Sequence, residues 1–275
     1  MTRLISEQIR LIPEGLKNYD LELQAKTGLT LKELAAAAVG VNPDRFDHFD
    51  SSVAVIPVTA GLGTIDGFSE AIKAIALHLG FNAFITSSAD VSGLVEAYDS
   101  NADLIMLADD YKYAAINLNT RRVAENDEAT ALGYCKALAY MAGGVKGKEV
   151  LLIGAGPVGT AAAARLAEAG AKLIVCDLNE NREAALAESV RRKSGTLPLR
   201  GLTLTEALKR KPLVFDASPG DRIISAAMID EKTIIASPGI PLGLDSDALA
   251  IAGDRLIHDP LQIGTAVMLF TALAG

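Results

Sequence analysis

Five β-forming residues, Glu149-Val-Leu-Leu-Ile, run straight into Gly154-Ala-Gly156-Pro-Val-Gly159, and an alanine-rich stretch follows. A second apolar run, Lys172–Cys176, then ends in Asp177, 23 residues beyond Gly154. A glycine-rich turn alone says little. Strand, GxGxxG, helix, strand and terminal acid in this order describe the first βαβ unit of a doubly wound, dinucleotide-binding sheet. Gly154 permits the tight turn, Gly156 lets backbone approach a pyrophosphate, and Gly159 lets the helix pack on the strand. Pro157 and Val158 open that helix, whose N-terminus offers unpaired N–H groups and the positive end of its dipole to phosphates. Asp177 is placed to accept hydrogen bonds from adenosine ribose hydroxyls. Its carboxylate would repel a 2′-phosphate, and no arginine follows before Arg182, so the expected cofactor is NAD rather than NADP. The competing readings are a Rossmann-like domain holding FAD or S-adenosylmethionine, or nothing. FAD enzymes usually carry the fingerprint at the extreme N-terminus, whereas here it begins in mid-chain.

The same alternation of short apolar runs and helical stretches extends on both sides. Strands are expected at 149–153, 172–176, 213–216, 233–236 and 255–257, and an apolar helix at 262–274. Before them, a long amphipathic helix over 2–26 is bent near Pro13, and Thr30-Leu-Lys-Glu33 is a capping box opening a helix through Ala38. Strands at 52–57, 82–86 and 103–107 with intervening helices from Gly67 and from Asp90 read as βαβαβ, a small parallel sheet. A helix over 127–141 leads to Gly143–Gly144, a helix end or hinge. The fold class is therefore α/β with two α/β domains and a cleft between them. Residues 1–143 form a substrate-binding domain and 144–262 a Rossmann NAD-binding domain. Residues 263–275 form a helix packing back on the first domain.

Composition narrows the partners. Half of the 275 residues are hydrophobic and 22% are charged, ordinary for a globular chain. Residues 1–146 carry 12 basic and 19 acidic side chains and residues 147–275 carry 14 and 15, so the acidity sits in the first half. A nucleic-acid partner is not expected. No run approaches a membrane span, and Met1 to Leu16 carries charges throughout instead of the apolar core of a signal peptide. Cys135 and Cys176 stand in unrelated contexts, and His48, His78 and His258 are scattered, so neither a disulfide framework nor a metal centre is expected. The expected setting is a reducing cytoplasm.

Several loops at strand ends could carry chemistry. Asp216-Ala-Ser218-Pro219-Gly and Ala236-Ser237-Pro238-Gly239 each follow a strand and are expected to flank a nicotinamide, although both are also ordinary βα turns. Asp109 and Asp110 close the 103–107 strand; adjacent acids point apart, so at most one lines a ligand site. Thr59-Ala-Gly-Leu-Gly follows the first strand and leads to Phe68. His258-Asp259-Pro260 follows the last strand, and Asp259 could act there as a base. With no thiol placed as a nucleophile, carboxylates suit an amine substrate: they attract an ammonium and can accept its proton before hydride leaves the neighbouring carbon. This reading leaves open a dehydrogenase of some other amine or amino acid, and a non-catalytic NAD sensor.

Several segments together resemble the pyrrolysine synthase family: Ile56-Pro-Val-Thr-Ala-Gly-Leu-Gly with Gly67-Phe-Ser-Glu, Asp90-Val-Ser-Gly, Met106-Leu-Ala-Asp-Asp, Ser237-Pro-Gly-Ile-Pro and Gly264-Thr-Ala-Val-Met-Leu. The resemblance runs from about residue 27 to the C-terminus. It implies oxidation by NAD of the terminal amine of L-lysine-Nε-3R-methyl-D-ornithine, loss of ammonia, and ring closure to L-pyrrolysine. It further implies that Asp109 engages the reacting or ring nitrogen and that Thr59 and Phe68 line the substrate pocket; Leu4 and Ile5 lie ahead of the matched segments and are candidate substrate contacts apart from the resemblance. Asp259 falls where the family is expected to have Glu, and the shorter side chain implies a bridging water or a backbone shift.

Overall fold

The computed structural model describes residues 4–42 and 51–274; His48 lies outside them. The chain opens with α1 (Ser6–Ile9) and α2 (Ile12–Thr27), the break falling just ahead of Pro13, which tolerates only the first turn of a helix. Next is α3 (Leu31–Val39), whose Thr30 side chain accepts from the Glu33 N–H while Glu33 accepts from the Thr30 N–H. Then follow β1 (Ser52–Ile56), α4 (Phe68–His78), β2 (Asn82–Ile85), α5 (Asp90–Asp99), β3 (Leu104–Ala108), β4 (Tyr113–Asn117), β5 (Val123–Glu125) and α6 (Asn126–Met141). Gly143 and Gly144, both at positive φ, end α6. The second half runs β6 (Glu149–Ile153), α7 (Pro157–Glu168), β7 (Lys172–Cys176), α8 (Glu180–Ser194), α9 (Leu204–Lys209), β8 (Leu213–Asp216), β9 (Ile235–Ala236), α10 (Ser246–Ala252), β10 (Leu256–Ile257) and α11 (Gln262–Leu273).

Contacts among the residues divide the chain into two compact units, one comprising Met1–Gln24, Leu29–Thr130 and Pro260–Gly275 and the other Ala25–Gly28 and Ala131–Asp259. The first unit holds a five-stranded sheet in the order β2-β1-β3-β4-β5. Its first three strands are parallel, as βαβαβ requires, but β4 and β5 are antiparallel. The three expected strands are parallel, and the unexpected β4 and β5 extend that sheet in antiparallel sense. The chain turns back after Ala108 within four residues, and a hairpin that short can join only antiparallel strands. One face of this sheet is covered by α11 and α4, with α3 packed on α11. Helix α11 is apolar on every side and buried almost throughout, as a helix inside a core must be. It is tied to β4 by Tyr113 Oη to Thr265 Oγ1 at 2.8 Å and by Asn117 Nδ2 donating to the Ala272 carbonyl at 3.1 Å.

The second unit holds an all-parallel sheet in the order β10-β9-β8-β6-β7. Leu199 adds a single parallel bridge outside β7. Counted as a strand, it completes the nucleotide-binding order 3-2-1-4-5-6, whose direction of winding reverses between β6 and β8. Strands β9 and β10 are shorter than expected, two residues each. Their core, built on Leu151, Ile153, Ile174, Val214 and Ile235, is continuous all the same. Among the described residues no helix is long and apolar enough to cross a membrane.

Candidate functional site

At the reversal point the glycine motif behaves as its sequence demands. Gly154 has φ +92°, and a Cβ there would stand 3.0 Å from the backbone of Ala217 and Ser218. A Cβ on Gly159 would lie 1.9 Å from the Gly154 carbonyl oxygen, so only glycine lets α7 sit this close to the turn. Gly156 differs: a Cβ there would meet nothing within 4 Å. It caps α7 in an extended conformation, with Pro157 at the first helical position and Val158 half-buried beside it. The room over Gly156, at the amide end of a twelve-residue helix, fits a pyrophosphate.

Asp177 follows β7 and is half-buried. Its Oδ2 accepts from the Ala155 N–H at 2.6 Å and its Oδ1 from the Asn179 N–H at 2.7 Å. These bonds fix the carboxylate beside the glycine loop.

The loops after β8 and β9 are joined by a group that the sequence reading did not single out. Asp216 is fully buried. Its Oδ1 accepts from the Ser218 N–H at 3.0 Å and from the Ser218 hydroxyl at 2.7 Å. The Ser237 hydroxyl lies 3.5 Å from its Oδ2 and from its carbonyl oxygen, which the Gly239 N–H also meets at 3.0 Å. Burial pushes the Asp216 carboxyl above the ordinary range. A Cβ on Gly239 would come 2.2 Å from the Ser218 carbonyl, and one on Gly243 2.3 Å from Asp216 Oδ2. The Ser237 side chain and Gly239 are therefore spent on packing one loop on the other, while Ser218 is half-buried, Pro238 half-buried and Pro219 exposed. An acid ending an apolar strand, Leu-Val-Phe-Asp216, and followed two residues on by serine is the signal that could have found it.

After β10, His258 Nδ1 is 2.7 Å from the Ser237 carbonyl. A carbonyl only accepts, so Nδ1 is the donor in this contact. Asp259 is buried, and Tyr134 on α6 encloses it. The tyrosine hydroxyl takes the Asp259 N–H at 2.8 Å and reaches Asp259 Oδ2 at 3.0 Å. Burial, then the Asp259 charge, holds the Tyr134 phenol well above its ordinary value. Tyr134 has no sequence signal, being one aromatic in an alanine-rich helix. Cys135 and Cys176 are free and buried, and burial pushes the Cys176 thiol up to about 11, so neither is a ready thiolate.

The first unit places its candidates around the loop that follows β1. Asp109 closes the β3–β4 turn: its Oδ1 accepts from the Tyr111 and Lys112 N–H groups, both at 2.7 Å. Those two bonds hold its carboxyl below the usual carboxylate range. Its neighbour Asp110 has a different partner: its Oδ2 accepts from the Leu62 N–H at 2.8 Å. Gly61 lies so close that a Cβ would be 2.1 Å from that oxygen. Thr59 is exposed and donates through its N–H to Asp90 Oδ1 at 2.8 Å and through its hydroxyl to Asp90 Oδ2. Asp90 begins α5 without capping it: the cap position is Ala89, and Asp90, at φ +55°, turns its carboxylate to Thr59. Phe68 is half-buried and meets Tyr113 edge-on with centroids 5.5 Å apart. Leu4 is half-buried, and Ile5 is exposed at the start of α1.

Residues 8–124 match the family described as pyrrolysine biosynthesis protein PylD, N-terminal domain, and residues 128–233 match the alanine dehydrogenase/PNT C-terminal domain. A pyrrolysine synthase of Methanosarcina acetivorans is 32% identical over 274 residues, covering 99% of this chain and all of that protein. One from Methanosarcina barkeri is 32% identical over 273 residues, covering 96% and 97%. The chain belongs to the pyrrolysine synthase family. By that membership and its dinucleotide-binding fold it is an enzyme, a nicotinamide-dependent dehydrogenase of pyrrolysine formation. Two solved structures share the fold at low identity. Quinate dehydrogenase from Corynebacterium glutamicum in complex with NAD has a TM-score of 0.54 at 15% identity, covering 82% of this chain and 94% of that one. A shikimate dehydrogenase in complex with NADP+ has a TM-score of 0.56 at 14%, covering 80% and 89%.

Proposed function

We propose that this protein uses NAD to oxidise the terminal amine of L-lysine-Nε-3R-methyl-D-ornithine, with loss of ammonia and cyclisation to L-pyrrolysine. The observation that carries the proposal is the match to pyrrolysine synthases over nearly the whole of both chains. The NAD preference rests on Asp177, whose carboxylate stands beside the glycine loop without a nearby arginine in sequence. Gly154, Gly156, Pro157, Val158 and Gly159 would hold the pyrophosphate, with Ser218, Pro219, Ser237, Pro238 and Gly239 at the nicotinamide end. When bound, the nicotinamide accepts hydride from the carbon that bears the amine.

The remaining steps fall to the chain's own groups. Asp109 is held ionised by two backbone donors, which suits it to anchor an ammonium and makes it a weak base at neutral pH. Asp259 is then the candidate to take a proton as the amine is oxidised, with Tyr134 fixing its position. Thr59 and Phe68, with Leu4 or Ile5, contact the substrate. The imine so formed loses ammonia to water or directly to the substrate's own second amine, and the ring closes.

The test is NADH formation with the isopeptide, with free ornithine and with lysine, followed by product mass. Isopeptide-dependent NADH with a pyrrolysine product supports the proposal. NADH only with another amine, or NAD binding without turnover, overturns it in favour of a different dehydrogenase or a sensor. Asp109→Asn is expected to leave NAD affinity unchanged and to lower kcat/KM by about 10- to 100-fold, the range of a charged hydrogen bond. Unchanged kcat/KM would remove Asp109 from the site.

A further inference from the structure

The sheet of the first unit has one face that its own helices leave half-bare. Along β4, Tyr113, Ala115 and Asn117 point to α11 and are buried, while Ala114, Ile116 and Leu118 point the other way and stay partly exposed. On β5, Ala124 is buried and Val123 is 52% exposed. A solvated face of an antiparallel pair is normally polar. Here the residues in register across it, Phe84, Ala54, Ile105, Ile116 and Val123, form an apolar row over all five strands.

Helix α5 accounts for the covered half only. It packs on β1, seated closely through Gly93, where a Cβ would come 2.8 Å from Ile56 Cγ2, and through Ala97. Beyond it, β4 and β5 present a trough two strands wide, about 10 Å, which is the diameter of a helix. The same α5 carries an apolar stripe left largely exposed among the described residues: Val91 is 74% exposed, Val95 55% and Tyr98 72%, with Leu94 between them. The spacing i, i+3, i+4, i+7 places all four on one side. A monomer seldom leaves so contiguous an apolar surface open without use.

The charges match as well. Asp99 ends α5, and Arg121 and Arg122, both exposed, form the β4–β5 turn. Both lie at the same end of the sheet, because Asp103 at the start of β3 bonds Leu118 and Asn119 at the end of β4. Ridge and trough on one chain make a self-complementary patch, the requirement of an isologous dimer.

From these features we infer that two copies of this chain pair through this face. The two-fold axis runs along the strands, and α5 of each copy lies over β4 and β5 of the other. That axis keeps the ends of the sheets together and sets Asp99 of one copy against the arginine pair of its mate.

Sedimentation velocity of the full chain across the micromolar range tests the pairing. A dimer is expected. Val95→Lys, at a solvent-facing helix position that lysine suits, is expected to weaken dimerisation by at least about tenfold through burial of an unpaired charge, with an unchanged far-UV circular dichroism spectrum. Asp99→Arg and the pair Arg121→Asp with Arg122→Asp are each expected to weaken it, and the triple variant to restore it. A monomeric wild type, or a dimer indifferent to Val95→Lys, would overturn the interface. A triple variant no stronger than its parents would overturn the two-fold arrangement.

Discussion

At the residue scale, the acids that could do chemistry differ in what already holds them. Asp109 gives one oxygen to two backbone donors of its own turn, Asp110 supports the neighbouring loop, and Asp216 is buried to lock two loops together. Asp259 is held by Tyr134, whose hydroxyl also satisfies the buried Asp259 N–H. Tyr134→Phe leaves that donor without its acceptor, at a cost of about 1–3 kcal/mol, read as a lower midpoint in urea. If Asp259 handles a proton, the pH profile of kcat moves as well. An unaltered profile with lowered stability would reduce Tyr134 to a packing role. In the sequence, Asp109 and Asp110 are equivalent neighbours; their division of labour rests on Leu62, 48 positions away.

At the element scale, the glycine loop and the polar turns set both binding and stability. The two motif glycines with opposite surroundings make a paired prediction. Gly159→Ala must push α7 off the Gly154 carbonyl, costing about 1–3 kcal/mol as overpacking does and weakening NAD as well. Gly156→Ala meets no protein atom, so Tm should hold while NAD affinity falls; calorimetric unfolding alongside titration with NAD separates the two. A pH effect belongs to the turn before β9. There the Asp230 carboxyl is drawn down to about 2, first by Lys211 at 2.9 Å and then by the Lys232 N–H. A carboxylate with a lowered folded pKa contributes stability above its unfolded value of 3.8, and that contribution is lost as pH falls toward 2. Lys211 is largely solvated and Asp230 partly so, so the effect is small and salt-sensitive. The NMR titration of Asp230 should have a midpoint near 2 in wild type and a higher one in Lys211→Met.

Helices and parallel strands were legible because their signals are local: the capping box at Thr30, the break near Pro13, the β-run into the glycines. The β4–β5 hairpin was not. Its alternation of small and apolar residues lacks a strong turn dipeptide, and its buried side is covered by α11, which arrives from the far end of the chain.

At the scale of the whole molecule, a ligand that binds only the folded form stabilises it by mass action. NAD at a hundred times its Kd should therefore add about 2.7 kcal/mol, seen as a rise in Tm and as slower amide exchange in β6, β7 and α7. NADP at the same concentration should do less, and Asp177→Asn should narrow the difference. Equal shifts with both dinucleotides would remove the proposed role of Asp177.

By itself the sequence determined the dinucleotide-binding half, because glycine at positive φ, a proline-opened helix and an acid ending a strand are properties of a few consecutive residues. It also carried the family, through segments spread along the chain. Only the tertiary structure decided which carboxylates are committed to the scaffold, that Tyr134 belongs with Asp259 across 125 positions, and that one sheet face lies half-open. The reason is physical: burial and hydrogen-bond saturation are set by residues far apart in sequence, and no local pattern encodes which of them will meet.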